Sequence, residues 1–593
     1  MQKANNPAKA CAWEELRPLF RPRSIAVVGA SPKPGPGLQV LENLRQLRYE
    51  GEVYPINPKY EEVMGLRCYA SFDALKAEGK QAELLAIVLG RDNIAPIIEQ
   101  AALCGAKAAW AFAAGFGEAG DEGKLLNAKV RRLCEDHGIQ FLGPNCVGFL
   151  NPSLGVCAYS APAPEKIVKG RIGMVAQSGY LNLAVANSAR GLGFSLMVST
   201  GNEMMVDSTK VMEYMLDDPD TDVIMAFIEQ IRCPEAFRRV ADRARELQKP
   251  IILIKVGRSE MARRATSAHT GALAGSDAIQ DSLFRKLNVI RVDDFDELFE
   301  TAELFSKLKG NLPKGDGIFA VTLSGGVISL MADVCDNMDI RFPAWSVEGT
   351  GAVQSQLMSF SHIANPLDAW GAGHIENTYA PCLESAAREP ECDLLLVVQD
   401  VPAGMAKRQV DQYAIVADAA VSVARSSGKP TALMSNISTG VHPDIQAILD
   451  RGNVPILRGT RAGFKAIENV VRYAKNLAKL MGAPCVSGHP LSLPSFPGKA
   501  LTEYASKRVL VDFSVPCTRE ILALNPDACA DAAREIGYPV VLKVMSTQIL
   551  HKTDADVIAI GLADEAAVRE AYPRLMQNAL RFAPCAQIDG MLV

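Results

Sequence analysis

Short apolar runs that end in a glycine or a polar turn recur along this chain, and each is followed by an amphipathic stretch long enough for a helix. From about residue 12 to 155 the runs are SIAVVGA, EVYPIN, LLAIVLG, AKAAWAFAAG and IQFLG. From about 168 to 305 they are RIGMVAQSG, FSLMVSTG, DVIMAFIE, PIILIKVG and LNVIRVDD, and from about 316 to 475 GIFAVTLSGG, CDLLLVVQD, PTALMSN and VPILRG. Continuous apolar strands alternating with helices predict parallel sheets covered on both faces. The chain therefore reads as three consecutive α/β modules, too long to be solenoid repeats. Residues 481–499, MGAPCVSGHPLSLPSFPGK, break the pattern with proline and glycine and read as a linker. A last α/β piece, 500–593, holds GYPVVLKV and closes on CAQIDGMLV, which reads as a strand.

Composition narrows the function classes. The 593 residues are 48% hydrophobic, enough for several cores, and the formal net charge is -5 with both signs interspersed. No basic run supports nucleic-acid binding, and no apolar run is long enough to span a bilayer. The first twenty residues lack the central apolar segment of a signal peptide. Fourteen cysteines without a CxxC pair read as free or buried thiols in a reducing cytoplasm.

Four places carry chemistry. In SIAVVGASPKPGPG a strand ends at Gly29, and Gly35 and Gly37 keep the next turn open, so that backbone N–H groups at a helix entry are available to phosphate. The spacing is not GxGxxG, and no acidic ribose ligand follows, which argues against a nicotinamide cofactor. Instead Asn57, Pro58 and Lys59 follow the next strand. A lysine there suits the extra phosphate of CoA, or is simply a surface residue. FLGPNCVGFLNP, residues 141–152, offers Pro144, Asn145 and Gly148 either as a closing turn or as a wall of the cofactor pocket.

TSAHTGALAGS, 266–276, sets His269 between small residues at a helix entry, either as a structural loop histidine or as a phosphate carrier whose phosphoryl group would meet unpaired N–H groups and the positive helix end. Ser267 and Thr270 add donors. A phosphorylated histidine needs an acceptor for its remote ring nitrogen, and Glu229, at the end of DVIMAFIE, follows a different strand end and is either that acceptor or a solvated residue on a strand edge. Ser178 and Gly179 in VAQSGYL stand at another helix entry. They either cradle the same phosphate or merely cap the helix. No GxSxG elbow makes Ser178 a nucleophile. STGNEMMVD, 199–207, is given only a wall role.

Taken together, VVGAS with INPKY, GPNCVG, QSG, SAHTGALAGS, NPLD, and the closing series EYASKRVL, GYPVVLKV and ILHKTDAD resemble the acyl-CoA synthetase (NDP-forming) family, related to succinyl-CoA synthetase, over almost the whole chain. The resemblance implies a Rossmann-like CoA-binding domain, two flavodoxin-like ligase domains and an ATP-grasp domain. It implies an acid–CoA ligase that uses ATP, CoA and a small carboxylic acid and forms acyl-CoA, ADP and phosphate. ATP phosphorylates His269, His269 phosphorylates the acid, and CoA displaces phosphate. Gly29, Ala30, Ser31 and Lys59 look like CoA contacts, Asn145 lies in a similar pocket motif, and Glu229 resembles the glutamate that steadies the phosphohistidine. Lys543 resembles a nucleotide-phosphate contact, and His551 a second relay histidine. Glu503 reads as a solvated structural residue.

The pattern departs from the family at Ala555, Asp556 and Val557, where paired glycines before a valine are usual, and at Tyr180, where a small residue is usual. The ATP-grasp region reads as incomplete, so the residues that hold Mg2+ are unknown. This leaves an alternative, a CoA or acyl-CoA binding protein without ligase activity. Ser324, Gly325 and Gly326 of TLSGG form another candidate anion turn, Asn365, Pro366 and Asp368 resemble a family loop near the domain interface, and Trp370 and His374 either read the acid or are packing residues, with acetate, a dicarboxylate and an aromatic acid all open. A cytoplasmic homo-oligomer, with no nucleic-acid or membrane partner, is expected.

Overall fold

The computed structural model describes residues 12–188, 190–262, 277–370, 375–482, 501–549 and 551–593, in two compact units, Met1–Pro484 and Cys485–Val593. The first unit holds the three modules. In the first, β1 (Ser24–Val28), β2 (Glu52–Ile56), β5 (Leu84–Ile87), β6 (Ala108–Ala111) and β7 (Gln140–Leu142) form a parallel sheet in the order β2-β1-β5-β6-β7, with a small hairpin of β3 (Glu62–Val63) and β4 (Leu66–Arg67) beside it. The second sheet has the order β14-β13-β12-β10-β11-β8-β9. Its strands are β8 (Phe149–Asn151), β9 (Val156–Cys157), β10 (Lys169–Ala176), β11 (Phe194–Ser199), β12 (Val223–Ile228), β13 (Ile251–Lys255) and β14 (Ile290–Val292). The third runs β16-β15-β17-β18-β19, with β15 (Ile318–Thr322), β16 (Leu367–Asp368), β17 (Leu394–Val398), β18 (Thr431–Ser435) and β19 (Ile456–Arg458).

One plan is used three times. The first strand of each parallel set lies between the second and the third, so the connections leave in opposite directions and open a crevice at the carboxyl ends. The strands are apolar without alternation because helices cover both faces: β1, β5, β6, β12, β13, β15, β17 and β18 are buried at every residue.

Two features were not legible in the sequence. Residues 149–155, grouped there with the first module, extend the second sheet instead, together with 156–157: β8 pairs antiparallel with β11, and β9 with β8. The second and third modules are also joined by buried charge. Glu300, on the helix Phe295–Lys307, pairs with Arg190 and accepts the backbone N–H of Arg458 at 2.9 Å. Burial and the nearby Arg458 guanidinium push the Arg190 group down to about 10.

The second unit is a four-stranded antiparallel sheet, β20 (Leu522–Ala523), β23 (Gly590–Leu592), β21 (Val540–Met545) and β22 (Ile558–Leu562) in that order. The helices Pro526–Ile536 and Glu565–Phe582 bury Cys529, Ala533, Val568, Leu575 and Ala579 with the strand residues Leu542, Val544 and Met591. The strand expected in CAQIDGMLV is β23, inside the sheet. All twelve cysteines among the described residues are unbridged. No helix among them is long and apolar enough to cross a membrane.

Candidate active site

At the carboxyl ends of β1 and β2 the expected CoA contacts share one crevice edge. Gly29 has φ +95°, and a Cβ there would lie 2.8 Å from Leu89 Cδ2. A Cβ on Gly37 would come within 2.6 Å of the Gly29 carbonyl oxygen, so the helix Pro36–Gln46 enters against this loop only because both positions are glycine. The helix has no side-chain cap, which leaves its first N–H groups open to an anion. Asn57 ties the two loops together: its Nδ2 donates to the Ala30 carbonyl at 2.7 Å, and its Oδ1 accepts the Lys59 N–H at 3.0 Å. Ser31 Oγ accepts the Lys33 N–H at 3.1 Å, and the Lys59 side chain is exposed.

A cleft of about 700 Å³ lies between the first and second modules, and Asn145, Ser178, Gly179 and Glu229 all line it. Asn145 stands at φ +56°, and its Nδ2 donates to Asn202 Oδ1 at 3.2 Å, linking the loop after β7 to the loop after β11. Ser178 caps the helix Gly179–Ala186, its Oγ accepting the Leu181 N–H at 3.4 Å. A Cβ on Gly179 would press on Val147 Cγ1 at 2.8 Å. Tyr180, the departure from the small family residue, also lines this cleft, 78% exposed.

The peptide that carries Glu229 is held from both sides. Gln177, after β10, accepts with Oε1 from the Glu229 N–H at 2.5 Å and the Gln230 N–H at 2.9 Å, and donates with Nε2 to the Gln230 carbonyl at 2.7 Å. Lys255, the last residue of β13 and 5% exposed, donates to the Glu229 carbonyl at 2.7 Å and the Val256 carbonyl at 2.6 Å. Burial, and next the Arg291 guanidinium, lower the Lys255 ammonium to about 8, while Asp277 and Glu229 favour its charge. Glu203 is buried beside this cleft and accepts from Thr200 Oγ1 at 3.0 Å, the Ser208 N–H at 2.9 Å and Arg232 Nε at 3.1 Å. Burial is the largest influence on its carboxyl and raises it. The sequence reading missed Gln177, Lys255 and Arg232, and gave the stretch that holds Glu203 only a wall role. The available signal was a charged residue at the end of an otherwise apolar strand, as in PIILIKVG. His269, with Ser267, Thr270 and Gly271, lies outside the described residues, as does His374.

The crevice of the third module, about 530 Å³, is lined by Thr322 at the end of β15 and Ser324 after it, Gln399 and Asp400 after β17, and Trp370, Met405 and Tyr413. Asn365 is structural: it bonds the backbone of Ala320, Ile318 and Pro343 at 3.1, 2.7 and 2.9 Å. Trp370 lines the crevice and is 52% exposed.

In the second unit, Glu503 is not the solvated residue expected. Its carboxylate accepts from Lys543 at 2.7 Å and Lys507 at 3.0 Å and lies 3.6 Å from Lys552, with 25% of the side chain exposed. Desolvation opposes ionisation, but the hydrogen bonds from Lys543 and Lys507 prevail and hold this carboxyl down to about 2. His551 is exposed. Asp556 keeps the left-handed conformation that a glycine would take, φ +49°, because Asn578 Nδ2 donates to both its carbonyl at 2.9 Å and its carboxylate at 3.0 Å. Losing the glycine pair therefore does not abolish this turn.

A CoA binding domain model matches residues 23–152, a succinyl-CoA ligase like flavodoxin domain 169–305, and an ATP-grasp domain 496–593. The ADP-forming acetate–CoA ligase I of Archaeoglobus fulgidus is 31% identical over 97% of this chain and 82% of its own length. The chain belongs to the ADP-forming acyl-CoA synthetase family. A trans-feruloyl-CoA synthase from an unidentified prokaryote is 30% identical over 98% of this chain and 82% of its own. Among solved structures, the apo form of the dinucleotide-forming acetyl-coenzyme A synthetase 1 of Ca. Korarchaeum cryptofilum superposes with a TM-score of 0.69 at 27% identity, covering 79% of this chain and 99% of that one. The activity of this family member is the formation of acyl-CoA, ADP and phosphate from a carboxylic acid, ATP and CoA.

Proposed function

We propose that His269 is the phosphoryl carrier of this ligase and that Glu229 orients it from the cleft between the first two modules. The observation that carries the reading is the convergence of Asn145, Ser178, Gly179 and Glu229 on one cleft at the carboxyl ends of two sheets. CoA lies along the strand ends of the first module, its phosphates at Gly29, Ala30, Ser31 and Lys59 and its thiol end in the cleft. The phosphoryl group of ATP passes to His269. Glu229 accepts a hydrogen bond from the remote ring N–H and keeps the other nitrogen aligned for transfer. His269 gives the group to the acid carboxylate, forming an acyl phosphate. The thiol attacks the acyl carbon and inorganic phosphate leaves, so the sum is acid, ATP and CoA to acyl-CoA, ADP and phosphate.

Lys543 pairs with nucleotide phosphate, and His551 relays the phosphoryl group on the ATP-grasp side. Magnesium accompanies ATP in such chemistry, but among the described residues no group of three His, Cys, Asp or Glu side chains is placed to hold an ion, and no step here depends on one. The acid enters by the crevice of the third module. Its Trp370, Met405 and Tyr413 wall beside Asp400 suits an acid with a flat apolar body better than a dicarboxylate, whose second charge meets Asp400. Named relatives act on acetate and on ferulate, so acid choice varies within the family. The same reading makes the protein a cytoplasmic homo-oligomer with neither nucleic acid nor membrane as a partner.

The test is labelling of the full chain with γ-labelled ATP and, in reverse, with labelled phosphate plus acetyl-CoA or feruloyl-CoA. Acid-labile, alkali-stable label on His269 is expected. It is absent in His269→Ala, which still binds CoA. A chain that binds CoA but never labels in either direction is a CoA-binding protein and not a ligase.

A further inference from the structure

The ladder that holds β12 in its sheet stops just before Glu229. The last pairs on its two sides are Ala176 with Phe227 and Ile228 with Lys255. Beyond them the chain turns out of the sheet, and a carboxylate carried there takes its position from whatever fixes that peptide. Side chains from both neighbouring strands take over from the ladder. Gln177, after β10, closes three hydrogen bonds on the Glu229–Gln230 peptide, and Lys255, at the end of β13, closes one on the Glu229 carbonyl. A neutral donor would serve the carbonyl at less desolvation cost. Instead a lysine 5% exposed is kept there, with Arg291 donating to its carbonyl at 3.3 Å and Asp277 paired to Arg291 at 2.5 Å.

We propose that Gln177 and Lys255 are positioning residues that clamp the Glu229 peptide between them, and that the Lys255 charge offsets the negative charge gathered in the cleft when the histidine is phosphorylated. The inference rests on the reading of Glu229 as the orienting carboxylate. A charged jaw does two things a neutral one does not. It holds the carbonyl, and it lowers the electrostatic cost of bringing a phosphoryl dianion beside Glu229. Lys255 is protonated below about 8, so the support is present at neutral pH and fades as pH rises through that value. The charged groups that set this are Arg291, which opposes the proton, and Asp277 and Glu229, which favour it.

The experiment measures the rate of histidine labelling by the full chain, from γ-labelled ATP or from labelled phosphate with acetyl-CoA or feruloyl-CoA, in Glu229→Gln, Lys255→Met, Lys255→Gln, Gln177→Ala and the doubles with Glu229→Gln. Lys255→Met and Gln177→Ala each slow labelling by about ten- to a hundredfold; the Gln177→Ala double is no slower than Glu229→Gln alone, because residues that act through one group are not additive, and the Lys255→Met double keeps only the part of the slowing that belongs to the lost charge. CoA affinity stays within about twofold of the parent, since the crevice at Gly29 and Lys59 is untouched. Lys255→Gln, which keeps a donor without the charge, loses the fall in rate that the parent shows above about pH 8. Independent, multiplying effects in the doubles, or parental labelling in Lys255→Met, overturn the clamp. Should Lys255→Met fail to fold, Lys255→Gln and its pH profile decide the matter. Parental labelling in Glu229→Gln overturns the reading of Glu229 instead.

Discussion

Replacing Glu503 by glutamine removes the carboxylate that Lys507, Lys543 and Lys552 share in the second unit. Against the opposing effect of burial, the Lys543 and Lys507 ammonium groups hold that carboxyl at about 2 rather than an ordinary 4.5, a difference corresponding to about 3 kcal/mol. A quarter of the side chain meets solvent, and screening reduces the effective contribution to about 1–2 kcal/mol. The folded-state value is depressed, so the stabilisation is complete above the unfolded value and is lost progressively as pH falls from about 5 to about 2. Tryptophan fluorescence does not report it, because Trp13, Trp110, Trp345 and Trp370 all lie in the first unit. Amide exchange of β21 and β23 does, since Lys543 sits on β21 and Val544 and Met591 pair across the two strands. In the parent, exchange corrected for its intrinsic rate accelerates about tenfold on acidification. In Glu503→Gln it is already about tenfold faster at pH 7 and changes little below pH 5. Parental protection at pH 7 together with a parental acid response would refute the reasoning.

Other outcomes follow from single contacts. Asn578→Ala leaves Asp556 in its left-handed turn without two hydrogen bonds and destabilises the second unit by about 1–2 kcal/mol, read by exchange at Val557; adding Asp556→Gly restores about 1 kcal/mol. Gly37→Ala drives a Cβ against the Gly29 carbonyl, costs about 1–3 kcal/mol in thermal unfolding and weakens CoA binding in calorimetry. Trp370→Ala lowers kcat/KM for a cinnamate-type acid about tenfold and leaves that for acetate within about twofold.

Strands of the three modules were legible because parallel strands are buried on both faces, and burial on both faces writes itself as an unbroken apolar run. The helix entries at Ser178 and Ser324 were legible for a related reason: a strand that turns at once into a helix needs small or capping residues at the junction. Groups whose meaning depends on a partner far along the chain were not. Lys255 looked like one more strand residue, Glu503 like a solvated helix start, Asp556 like damage to a turn, and residues 149–155 like the end of their own module.

The sequence by itself determined the α/β alternation, the thrice-repeated module and the kinds of group brought to each crevice, because these follow from local burial and turn chemistry. Only the tertiary structure decided which sheet β8 and β9 join, how Gln177 and Lys255 grip the peptide of Glu229, and that Glu503 gathers three lysines. Those outcomes are pairings across space, and the electrostatics of a buried charge depends on what packs around it.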